Sequence, residues 1–137
     1  MKREAQVLIK VPFHDIDSAG IAWHGHYAKY FELARCELLD SFGYGYREML
    51  ESGYIWPVID LHTRYVKPVV FGQTIRVQAT LIEWEHRLKI EYLISDEASG
   101  AAMTRGQTVQ VAVEASTHEM LLASPDILFE RLGVERT

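Results

Sequence analysis

Phe13-His14-Asp15-Ile16-Asp17-Ser18-Ala19-Gly20-Ile21-Ala22-Trp23-His24-Gly25-His26-Tyr27 runs without a break into Ala28-Lys29-Tyr30-Phe31-Glu32-Leu33-Ala34-Arg35. The first fifteen of these residues hold two Asp, three His, one Trp and two Gly, a mixture that favours a bend over a regular element. The second part opens the best helical pattern in the chain. Residues 25–41 read as a helix in which Tyr27, Tyr30, Phe31, Ala34, Leu38 and Phe42 form one apolar stripe. Lys29, Glu32, Cys36 and Asp40 lie opposite, and Gly43 and Gly45 stop the helix. Leu33 and Leu39 fall outside the centre of the stripe, which predicts cover on more than one side. A bend rich in ionisable groups that feeds a helix N-terminus is a place for chemistry. The first N–H groups of a helix have no partner inside it and carry partial positive charge, so an anion or a developing oxyanion can sit there.

Residues 5–13 alternate, with Ala5, Val7, Ile9, Val11 and Phe13 on one side of a predicted strand. Residues 46–52 read as a short helix ending at Gly53. Residues 57–67 form a second strand candidate, with Ile59, Leu61 and Tyr65 on one face and Asp60, His62 and Arg64 on the other. Residues 74–83 alternate most cleanly, a turn near Glu85-His86 leads to Leu88, Ile90, Tyr92 and Ile94, and residues 96–100 make a second turn. The last long strand covers 102–114, with Val109, Val111 and Val113 on one face, and residues 125–132 form a terminal helix with Pro125 near its start. One long helix with five antiparallel strands is α+β. A single aromatic helix can be buried only if the sheet curls around it, and such a sheet leaves edges that pairing between subunits would close.

The chain has 137 residues, with 48% hydrophobic and 24% charged content, which predicts one globular domain over 1–137. The net charge of −5 and the lack of a basic tract argue against nucleic acid as a partner. Cys36 is the single cysteine, so neither an intrachain disulfide nor a cysteine zinc site is expected. No apolar run is long enough for a signal peptide or a membrane span, which suits a cytoplasmic protein.

Asp15-x-Asp17-x-Ala19-Gly20-Ile21-x-Trp23, with Tyr27 four residues on, resembles the 4-hydroxybenzoyl-CoA thioesterase family of hotdog-fold acyl-CoA thioesterases. The resemblance implies a hotdog fold, a long central helix wrapped by a curved five-stranded antiparallel sheet. It also implies an acyl-CoA substrate and a homodimer or homotetramer. It makes Asp17 the catalytic carboxylate, acting as nucleophile or as general base, and it agrees with the physics in putting the oxyanion at the backbone N–H groups of His24 and Gly25. Gly25 would also allow close approach of the substrate. Gly20, Trp23, Tyr27 and Trp56 are expected to shape the substrate site. Trp84 matches a Trp ahead of a basic turn that takes the nucleotide phosphates in the aryl-CoA enzymes. Here that segment keeps only Arg87 and Lys89 as basic groups, and His26 stands where Asn is commoner.

Each of these residues also has a plainer role. Asp17 is of the type that accepts backbone hydrogen bonds in a turn, and Asp15 fits that structural part better still. His24 can orient Asp17 or a water, protonate the leaving thiolate, or simply start the helix. Trp23, Tyr27 and Tyr30 at helical spacing suit a core as well as a pocket. Arg64, Lys67 and Arg105 are further phosphate partners, or solvated surface charge. His14, Asp15, Asp17, His24 and His26 match no standard metal spacing, so no metal and no cofactor are expected. Cys36 lies opposite the stripe with no His at hand, and no Gly-x-Ser-x-Gly elbow is present. Two other functions remain open: an acyl carrier protein thioesterase, and a non-enzymatic acyl-CoA-binding hotdog protein.

Overall fold

A computed structural model describes residues 3–136, so Met1, Lys2 and Thr137, the ends of the predicted 1–137 domain, lie outside the described residues. The elements are strand β1 (Arg3–Lys10), helix α1 (Tyr27–Ser41), helix α2 (Tyr46–Glu51), strands β2 (Tyr54–Ile55), β3 (Val58–Tyr65), β4 (Thr74–Glu83), β5 (Leu88–Asp96), β6 (Ala102–Gln110) and β7 (Val113–Glu114), and helix α3 (Asp126–Leu132). Five strands make one antiparallel sheet in the order β1-β4-β5-β6-β3. This is the α+β hotdog arrangement, with α1 set into the concave face.

The stripe on α1 fills the core as its spacing predicts. Tyr27, Tyr30, Phe31, Ala34, Leu38 and Leu39 are all buried, and Leu33 is exposed. The facing residues of β4 and β5, from Ile75 to Leu81 and from Leu88 to Ile94, are buried at every second position. Phe31 stacks on Tyr92 with centroids 4.5 Å apart and planes inclined by 16°. Its ring also fills the space over Gly106, where an added Cβ would lie 2.5 Å from it.

Three sequence-based expectations change. The strand expected over 5–13 ends at Lys10, because Pro12 cannot donate to a ladder. Phe13 then enters a 3-10 turn, Phe13–Asp15, and is 74% exposed. The strand expected over 102–114 divides after Gln110, which already pairs with the first residues of both its neighbours, Leu88 and Val58. With no strand left alongside, the chain pairs Val113–Glu114 with Tyr54–Ile55 in a separate two-stranded sheet. Finally, β3 forms the open edge of the main sheet. All its residues are exposed except half-buried Thr63, so neither of its two faces is covered.

Candidate active site

The bend after β1 is a small hairpin. Ile16 pairs with Ala22, the Asp17 N–H donates to the Ile21 carbonyl (2.9 Å), and the Gly20 N–H donates to the Asp17 carbonyl (3.1 Å). Gly20 closes the turn at φ +81°, a conformation that glycine adopts without strain. Asp17 Oδ1 accepts the Ala19 N–H (2.8 Å), which orients the carboxylate from within the turn. One leg of the hairpin is tied to the segment after β3: the Ala22 N–H donates to the Val69 carbonyl (2.7 Å), and Ile21 bridges to Val70.

The chain then makes a 3-10 turn, His24–His26, before α1 begins at Tyr27. Its hydrogen bonds run from the His26 N–H to the Trp23 carbonyl and from the Tyr27 N–H to the His24 carbonyl. The N–H groups of His24 and Gly25 stay outside that bonding, as expected for the first amides of a helical segment. An added Cβ on Gly25 would fall 2.1 Å from the Trp23 ring. The space over Gly25 is therefore taken by the indole rather than left open for a substrate.

Asp17 and His24 line one cleft of about 360 Å³. Ile21, Ala22 and Tyr27 continue its wall, and Tyr65, Val66, Lys67 and Pro68 from the end of β3 complete it. Tyr27 and Tyr65 meet at right angles, with ring centroids 4.9 Å apart. The Tyr65 hydroxyl donates to the His24 carbonyl (3.3 Å), and the Tyr27 hydroxyl accepts the Val69 N–H (3.3 Å). Burial raises the Tyr27 phenol above its ordinary value, partly offset by the Val69 bond, so it stays protonated at neutral pH.

Behind the cleft, Asp15 is 1% exposed. Its carboxylate accepts Lys29 Nζ at both oxygens (2.7 and 2.8 Å) and the Tyr30 hydroxyl (2.7 Å). His14 Nε2 and His26 Nδ1 approach Oδ1 at 3.6 and 3.7 Å. Burial alone would raise this carboxyl. The bonds from Lys29 and Tyr30 and the Lys29 charge outweigh it, so Asp15 sits below the usual carboxylate range and is ionised. Burial and the Asp15 charge together push the Tyr30 phenol far up.

Several expected site residues stand elsewhere. Trp23 is 48% exposed and turned against His24 and His26, at ring separations of 5.0 and 5.5 Å, not toward the cleft. Gly20 lies at the hairpin tip. Trp56 is a core residue: its Nε1 donates to the Tyr44 hydroxyl (3.3 Å), and its carbonyl accepts Gln110 Nε2 (2.8 Å). Arg87 pairs with Glu83 (3.2 Å), and Lys89 sits opposite Glu83 in the β4–β5 ladder. Both are one strand length, roughly 30 Å, from the cleft end of β4. Tyr65, Val66 and Pro68 had no sequence signal as cleft residues beyond the Lys67-Pro68 step that ends their strand. Among the described residues, no group of three or more His, Cys, Asp or Glu side chains could hold a metal ion.

Residues 11–129 match the thioesterase-like superfamily. A protein of Synechocystis sp. (strain ATCC 27184 / PCC 6803 / Kazusa) with a provisional esterase name is 27% identical over 93% of this chain and 77% of its own length. A DHNA-CoA thioesterase from Staphylococcus aureus superposes with a TM-score of 0.80 at 27% identity, over 87% of this chain and 80% of that one. A mutant 4-hydroxybenzoyl-CoA thioesterase in complex with 4-hydroxybenzoyl-CoA shares the fold, with a TM-score of 0.81 at 17% identity, over 94% and 98% of the two chains.

Proposed function

The chain belongs to the thioesterase-like superfamily and is a hotdog-fold thioester hydrolase, and from that premise we propose that it cleaves an acyl- or aroyl-CoA to the free acid and CoA in the Asp17 cleft. One observation carries the proposal: Asp17 lines the same cleft as His24, which opens the turn whose first two N–H groups lie outside its hydrogen bonds. The thioester carbonyl oxygen is polarised by those amides, whose attraction for it strengthens as negative charge develops on the oxygen. Asp17 then either attacks the carbonyl carbon or takes a proton from a water that attacks it. In both cases the C–S bond breaks and the thiolate departs. Direct attack leaves a mixed anhydride that water cleaves to restore the carboxylate. The bond from the Ala19 N–H holds Oδ1 in place, so the turn-capping role of Asp17 and its catalytic role are compatible. His24 lies on the same rim, where it can orient water.

The acting unit we propose is a homodimer of one-domain subunits, joined through β3. Its exposed edge needs a partner strand. Antiparallel pairing about a two-fold axis sets the Val58 end of one copy beside the Tyr65 end of the other. The β4–β5 turn shares the Val58 end of the sheet, so the partner subunit's Arg87 and the partner subunit's Lys89 would approach the cleft that their own chain cannot reach. They would then join Lys67 as cations for the CoA phosphates.

The test is thiol release from a panel of aliphatic and aromatic acyl-CoAs by the wild type and Asp17→Asn. The wild type should turn over part of the panel, and the folded variant should lose about 10²–10⁴-fold in rate. Equal rates would remove Asp17 from the chemistry. A wild type that binds the esters but never cleaves them would make this a ligand-binding member of the family.

A further inference from the structure

Asp15 is bonded on both sides of the segment that carries the His24 and Gly25 amides. Through its backbone it fixes the hairpin: its carbonyl accepts the Trp23 N–H (2.9 Å), and its N–H donates to the Pro12 carbonyl (3.1 Å). Through its side chain it grips Lys29 and Tyr30 in the first turn of α1. Asp17 stands two residues beyond this anchor on the hairpin. The His24 and Gly25 amides lie between Trp23, on one side of the anchor, and Lys29 on the other. The distance from the Asp17 carboxylate to those amides therefore depends on how rigidly hairpin and helix are joined, and Asp15 joins them directly.

We propose that Asp15 is a positioning residue of the hydrolytic site, clamped by Lys29 and Tyr30 so that the Asp17 hairpin and the oxyanion amides keep one spacing, with Lys29 cancelling the charge that Asp15 would otherwise direct at the oxyanion. The proposal rests on the hydrolytic role of the cleft. A buried carboxylate without its cation would oppose negative charge on the thioester oxygen and on Asp17 alike. Misplacing a reacting group by about 1 Å from a position outside the chemistry can lower a rate by about 100-fold.

The experiment compares wild type, Tyr30→Phe, Asp15→Asn, Lys29→Met and the Asp15→Asn/Lys29→Met double variant in thiol release, with sedimentation and circular dichroism as controls for assembly and fold. Asp15→Asn should lower kcat by about 10- to 100-fold with KM changed less than about 3-fold, because the clamp orders reacting groups and not the CoA contacts. Tyr30→Phe, which removes one hydrogen bond and no charge, is the mildest probe and should lower kcat by about 3- to 10-fold. Lys29→Met, which leaves Asp15 buried without its cation, should lower kcat at least as far as Asp15→Asn, and the double variant should recover part of that loss. Folded variants with wild-type kcat overturn the clamp while leaving the hydrolase intact. A wild type inert toward every thioester overturns the hydrolytic premise and the clamp with it.

Discussion

Asp15 and Asp17 are chemically identical residues two positions apart, and the environment separates them. Asp15 is buried and neutralised by Lys29, whereas Asp17 is half-buried at the cleft, where its Oδ1 accepts the Ala19 N–H. The Asp15 carboxyl is held below its ordinary value of 3.8, so the folded state binds its proton more weakly than the unfolded state does. Its contribution to stability is complete above the unfolded value and is lost as the pH falls through the lowered folded one. In urea unfolding, Asp15→Asn should therefore be less stable than wild type at pH 7, and the gap should close as the pH falls below about 4. A gap that stays constant down to pH 2.5 would show that the charge of Asp15 contributes nothing. At this scale the motif was readable because Asp, Gly and His at fixed spacing carry their own chemistry. The placement of Trp23 and Trp56 was not, because an aromatic side chain suits a pocket and a core equally, and only the neighbours decide. For Trp56 the deciding neighbours are Tyr44 and Gln110, distant in sequence.

At the scale of elements, α1 is seated by Phe31, which lies between Tyr92 of β5 and the bare backbone of Gly106 in β6. A methyl group at Gly106 meets that ring at 2.5 Å and the His62 carbonyl at 3.0 Å, so neither side can yield without moving the helix or β3. Gly106→Ala should cost about 1–3 kcal/mol in chemical unfolding. In a Phe31→Leu background, where the ring is gone, the same substitution should cost clearly less; equal costs in both backgrounds would put the strain elsewhere. The period of the α1 stripe and the alternation of β4 and β5 show in the sequence because one face of each is buried along its whole length. The end of β6 does not show. It is set by where its neighbouring strands begin, as Gln110 illustrates by pairing with the first residues of both β3 and β5.

At the scale of the whole molecule, the main sheet ends in a long strand with exposed apolar side chains on its edge, Ile59 at 57% and Leu61 at 48%. Phe13 and Phe71 add an exposed aromatic pair at the cleft end, with centroids 5.6 Å apart. Lysine on an edge strand is a common block to strand pairing. If the proposed β3 dimer forms, Leu61→Lys should convert it to a monomer in sedimentation velocity and lower thioesterase activity with it, since the partner would no longer supply cations to the cleft. A dimer that persists unchanged would place the subunit contact away from β3. The α+β class, the central helix, the hairpin motif and the family resemblance were all legible in the amino-acid order, because periodicity and short-range spacing are local properties of the chain. Only the folded chain settled which aromatics face the cleft, that Lys29 pairs with the buried Asp15, and that Arg87 and Lys89 lie a strand length from the cleft end of β4. Those facts depend on contacts between residues far apart in the chain, and the chain must be folded before they exist.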